Sequence, residues 1–117
     1  IIERVGSSNL GVTFDSGNAL RIGENPIEAA RKLIDKIFAT HIKDVAPLYG
    51  GNPADWYFFA SVPAGRGIID FPALVQVFKE NHYQGSLTLE IDYLDPNYGN
   101  EDQAVAESIR YLQKITA

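Results

Sequence analysis

The sequence predicts an α/β domain of three strand–helix units with parallel strands. Strand-like apolar runs recur over 10–15, 39–43 and 86–92, and each ends in polar residues. A stretch with helical spacing and an N-cap signal follows each run. The connections between runs are long enough for the crossovers that parallel pairing requires.

Residues 1–6 read as the last turn of a helix closed by Gly6, the usual residue just past a helix C-terminus. The chain therefore reads as starting mid-fold, as a piece of a longer protein; an N-terminus cut close to a domain edge would look the same. A Ser7-Ser8-Asn9 turn leads into the first strand, and a loop follows it. Asn25 is a good N-cap, Pro26 suits the first helical position, and Glu28 sits where a capping-box carboxylate would. Ile27, Ala30, Leu33, Ile34 and Ile37 form one apolar stripe, with Glu28, Arg31, Lys32, Asp35 and Lys36 on the wet side. That spacing predicts a helix running to about Phe38.

The second strand is 39–43. Residues 44–67, with four glycines and three prolines, read as one long irregular segment, functional or mobile. Trp56, Tyr57, Phe58 and Phe59 interrupt it as a short strand or a lid. Asp70 or Phe71, with Pro72 just inside, opens the second helix. Leu74, Val75 and Phe78 point inward, and the helix ends near Asn81-His82-Tyr83. After the third strand and a turn at 95–99, Asn100 and Gln103 have capping-box spacing. Ala104, Val105, Ser108, Ile109, Leu112 and Ile115 are the expected buried stripe of the last helix. Three parallel strands leave two bare edges, so more chain or a second subunit is expected to complete the sheet.

At 117 residues the chain is one domain at most. A net charge of -5 with ten scattered Lys and Arg argues against a nucleic-acid partner. No apolar run approaches the ~20 residues that span a bilayer, and these residues show no basic-then-apolar signal pattern; no membrane partner is expected. The chain has no cysteine, which removes disulfide and thiolate chemistry and fits a cytoplasmic location.

Asp15, His41 and Glu90 each fall at or near the C-terminal end of a predicted strand. In a barrel of parallel strands that end carries the active site. Two carboxylates and an imidazole form a hard, mixed O/N donor set suited to Mn²⁺, Mg²⁺, Co²⁺ or Zn²⁺. Each residue also has an ordinary structural reading: Asp15 as a turn cap, His41 as a core histidine, Glu90 as a partner of Lys43. Their equivalent places on three successive strands favour the metal site. Arg66, between Gly65 and Gly67, is able to grip a phosphate or carboxylate, or to be a solvated loop residue. His82, at a helix end, is given no catalytic role.

Four segments together resemble the xylose isomerase-like barrel family of sugar and sugar-phosphate epimerases and isomerases. They are Gly11-Val12-Thr13-Phe14-Asp15-Ser16-Gly17-Asn18, Thr40-His41-Ile42-Lys43-Asp44, Val62-Pro63-Ala64-Gly65-Arg66-Gly67-Ile68-Ile69-Asp70-Phe71 and Tyr83-Gln84-Gly85-Ser86-Leu87-Thr88-Leu89-Glu90. The resemblance covers nearly the whole chain and implies the C-terminal part of a (β/α)8 TIM barrel, its last three strand–helix units, as a single partial domain over 1–117.

It further implies a divalent metal, Mn²⁺ first among the candidates, held by Asp15, His41 and Glu90 plus a glutamate from an earlier strand. Glu90 would be one of two catalytic acid/base glutamates beside a ketose carbonyl. Without its partner, this chain alone is expected to be inactive. Asn18 stands where many members carry histidine; it can hydrogen-bond a substrate hydroxyl but cannot shuttle a proton. Lys43 and Arg66 are the other expected contacts to a sugar or sugar phosphate, Lys43 also being readable as an ion-pair partner. The expected partners are that small molecule and either the missing N-terminal barrel portion or a homo-oligomer partner. The competing reading is an inactive, self-associating barrel fragment with an incomplete metal site. A nuclease on the same barrel would need more histidines and a basic groove.

Overall fold

Three parallel strands carry the chain, in the order β1-β2-β5. The computed structural model describes residues 1–49, 52, 54 and 58–117. Strand β1 (Val12–Asp15) pairs with β2 (Ile37–Ile42) so that Asp15 lies opposite His41. On its other side β2 pairs with β5 (Thr88–Leu89), placing Thr88 opposite His41 and Leu89 opposite Ile42. The ladder runs one bond further, from Glu90 N–H to the Ile42 carbonyl at 3.1 Å.

Side chains alternate across these strands. Phe14, Thr40 and Ile42 are buried on the helix side, whereas Asp15, His41 and Glu90 stay partly open on the other. The buried face packs on α3 (Pro26–Leu33), α4 (Phe71–Glu80) and α5 (Glu101–Thr116). Phe71, Leu74 and Val77 fill the centre, and Phe14 meets Phe78 edge to face at 6.3 Å between ring centres.

Each of these helices starts where a side chain takes up orphan backbone donors. Asn25 accepts from Ile27 and Glu28 N–H, Asp70 from Ala73 N–H, and Asn100 from Gln103 N–H. A short helix α1 (Ile2–Val5) ends at Gly6, whose φ of 66° is the left-handed cap conformation.

Several boundaries differ from the sequence reading. The first long helix stops at Leu33 and passes through a 3-10 turn, Ile34–Lys36, into β2. Ile37 fits a helical stripe by spacing, but pairing with Val12 claims it for the sheet. The second strand is therefore 37–42, not 39–43. The third is Thr88–Leu89, not 86–92, because β2 supplies a partner over a short register only. On α5, Ala104, Ser108 and Leu112 are buried, while Val105 and Ile109 are exposed at the edge of the packing face.

The segment after β1 is not a loop throughout: Ser16–Arg21 forms α2, capped by Asp15 through Asn18 N–H at 2.8 Å. Residues 44–67 are not irregular throughout either. Strands β3 (Asp44–Pro47) and β4 (Phe59–Val62) pair antiparallel, so Phe59 belongs to a strand. Phe58 beside it is exposed, and Trp56 and Tyr57 lie outside the described residues.

Asp44 ties this hairpin to the turn before α4. Its buried carboxylate accepts from the backbone N–H of Gly65, Gly67, Ile69 and Val45. Gly67 passes so close that a Cβ there would overlap Asp44 Oδ1 and the Val45 carbonyl. Gly67→Ala is therefore expected to destabilise the fold by about 2–4 kcal/mol, measured by urea unfolding. A loss within about 0.5 kcal/mol would contradict this packing.

Candidate metal centre

The register of the sheet brings the predicted ligands together. Asp15 ends β1, His41 stands opposite it on β2, and Glu90 follows β5. Each offers one ligand atom, and these lie within 4.8 Å of one another. His41 Nδ1 is 3.1 Å from Glu90 Oε2 and 3.6 Å from Asp15 Oδ2. Glu90 Oε2 is buried, and the Lys43 ammonium lies 2.8 Å from it. Two carboxylate oxygens and one imidazole nitrogen, brought this close, form a donor set that fits a divalent cation.

Local chemistry orients these candidate ligands. Asn18 holds Asp15 twice, through its backbone N–H and through Nδ2 to Oδ2 at 3.0 Å. Lys43, two residues beyond His41 and on the same face, is almost fully buried. Its Nζ lies 2.8 Å from Glu90 Oε2, 3.1 Å from Asp15 Oδ2 and 2.8 Å from Asp92 Oδ2. Burial would lower its pKa, but Asp92, Glu90 and Asp15 outweigh burial and raise it.

Asp92 anchors a second layer that the sequence did not single out as a site. Its carboxylate takes Arg21 from α2 at 2.6 and 3.2 Å, Lys43, and the Ser61 hydroxyl from β4. A two-residue step from Glu90 puts Asp92 on the same side of the chain, which is a weak local signal. Nothing local points to Arg21 or Ser61.

Burial pushes the Asp92 carboxyl up, but the Arg21, Lys43 and Ser61 hydrogen bonds prevail and hold it well below the usual carboxylate range. A carboxyl lowered in the folded state stabilises the fold above its unfolded pKa of about 3.9 and loses that contribution as pH falls. Wild type is therefore expected to lose more thermal stability than Asp92→Asn between about pH 6 and pH 3. Parallel losses in the two proteins would contradict the linkage.

Of the residues expected to contact substrate, Asn18 is exposed beside Asp15 and Lys43 is enclosed beneath the cluster. Arg66 sits apart from them, its Nε donating to Glu107 on α5. No helix among the described residues is long and apolar enough to cross a membrane.

Comparison with known proteins agrees with this architecture. The family model described as the xylose isomerase-like TIM barrel matches residues 1–115. An inosose dehydratase of Clostridium botulinum (strain Eklund 17B / Type B) is 29% identical over 109 residues, covering 86% of this chain and 36% of that protein. The protein named "Putative L-ribulose-5-phosphate 3-epimerase SgbU" of Escherichia coli (strain K12) is 37% identical over 90 residues, covering 76% of this chain and 30% of its own length. The crystal structure of a xylose isomerase domain protein from Planctomyces limnophilus superposes with a TM-score of 0.77 at 27% identity, covering 97% of this chain and 40% of that one. The chain thus spans well under half the length of the relatives it matches. With the strand order, the matched residues and these relatives in agreement, the chain belongs to the xylose isomerase-like TIM-barrel family.

Proposed function

We propose that the chain is the C-terminal portion of a divalent-metal-dependent isomerase or epimerase of a sugar or sugar phosphate, folded as one partial barrel domain. The observation that carries this reading is the convergence of Asp15, His41 and Glu90 on one point at the ends of neighbouring strands. Relatives named for epimerisation and for dehydration support the substrate class. Both reactions begin by taking a proton from a carbon next to a carbonyl.

When bound, the metal would polarise that carbonyl and its neighbouring oxygen and so lower the cost of removing the proton. Mn²⁺ is the first candidate by resemblance to the family; the donor set suits Mg²⁺, Co²⁺ or Zn²⁺ as well. Glu90 is the base: its carboxylate takes the C–H proton and holds it for return. Inversion at the carbon requires a second acid on the opposite face, the role that the family resemblance gives to a glutamate from an earlier strand. Asn18 orients Asp15 and offers its amide to a substrate hydroxyl. Arg66 would meet an anionic substrate group only at a distance from the ligands.

A second reading, an inactive barrel fragment that self-associates, draws on a specific feature. Among the described residues β1 and β5 are each hydrogen-bonded into the parallel sheet on one side only.

The test of the metal site is retention of Mn²⁺ after desalting, measured by elemental analysis. Asp15→Ala, His41→Ala and Glu90→Ala should each lose the ion by at least about tenfold in affinity. Unchanged metal content in all three variants would remove the site.

A further inference from the structure

Lys43 already places a positive charge where the divalent ion would act. Its ammonium contacts Asp15 Oδ2 and Glu90 Oε2, the same two oxygens that face His41 Nδ1. Its third partner, Asp92 Oδ2, lies outside the ligand trio. Asp92 is itself fixed by Arg21 and Ser61 and so is a stationary anchor. The lysine stem has little freedom, because it lies against Gly17, where a Cβ would come within 2.8 Å of both Cγ and Cδ. Only the end of the side chain can pivot between the ligand oxygens and Asp92.

We propose that Lys43 is the internal counter-cation of the metal site. Its ammonium holds Asp15 and Glu90 together in the metal-free protein, competes with the divalent ion for their oxygens, and keeps Asp92 as its partner when the ion binds. The inference rests on the metal-site reading above. Like charges packed this closely repel, so the metal-free cluster needs a cation. A divalent ion entering beside an ammonium must both displace it and tolerate it.

Two effects of opposite sign follow. Removing the ammonium should weaken the metal-free fold and strengthen metal binding. A lysine with only a structural role would weaken both, because a loosened fold misplaces its ligands.

The test compares wild type with Lys43→Met, which keeps the stem and removes the charge. Mn²⁺ affinity is measured by titration calorimetry, and thermal unfolding is followed with and without Mn²⁺. Lys43→Met is expected to bind Mn²⁺ at least about tenfold more tightly, equivalent to about 1.4 kcal/mol. It should melt at a lower temperature without Mn²⁺ and gain more from it. If the variant does not fold without metal, refolding in Mn²⁺ should recover it, since the ion supplies the missing charge.

Equal or weaker Mn²⁺ binding by the folded variant, with wild type binding normally, would overturn the proposal. So would a failure to fold even with Mn²⁺. If neither protein binds Mn²⁺, the metal-site reading itself fails and takes this inference with it.

Discussion

Glu90→Gln is expected to slow uptake of solvent deuterium at the carbon next to a ketose carbonyl by about 10²–10⁴-fold, in a protein carrying this chain within a complete barrel. Glutamine keeps the shape and an oxygen able to face the metal, but it cannot accept the proton. The experiment is run at saturating Mn²⁺, with bound metal measured in the same sample. Loss of exchange with metal retained assigns Glu90 the acid/base role. Exchange at the wild-type rate would leave it a ligand only. Exchange lost together with the metal is resolved by raising Mn²⁺ until occupancy is restored.

Asp44→Ala is expected to cost about 3–5 kcal/mol of stability. The carboxylate accepts from four backbone donors and is 1% exposed. Its loss would leave the N–H groups of Gly65, Gly67 and Ile69 without their acceptor in the turn before α4. Asp44→Asn retains one acceptor oxygen and should cost less. Urea unfolding of the two variants separates these outcomes. A loss under about 1 kcal/mol for Asp44→Ala would mean that the turn before α4 does not depend on this carboxylate.

Legibility in the sequence followed the range of the interaction. The caps at Asn25, Asp70 and Asn100 were readable because each bonds an N–H two or three residues away. Helix α2 escaped because Ser16-Gly17-Asn18 has turn composition; its stability comes from the Asp15 cap and from Ser16, whose hydroxyl donates to the Lys43 carbonyl. The end of α3 was misplaced because Ile34 and Ile37 suit a helix and a strand equally until β1 is present to pair. Strands β3 and β4 were hidden by the glycines and prolines around them.

The convergence of Asp15, His41 and Glu90 was legible because parallel strands align equivalent positions, so three strand ends fall together. The layer behind it was not. Arg21 and Asp92 are 71 residues apart, and only the folded chain brings them to 2.6 Å. Lys43 was visible as a neighbour of His41, but its enclosure by three carboxylates depends on β5 lying beside β2.

Native mass spectrometry of the chain in Mn²⁺ tests the central claim most directly, because it reads mass, assembly and bound metal in one spectrum. A site formed by Asp15, His41 and Glu90 predicts one divalent ion per chain, lost when all three residues are changed to alanine. A wild-type spectrum without bound Mn²⁺, or an ion retained equally by the triple variant, would contradict it.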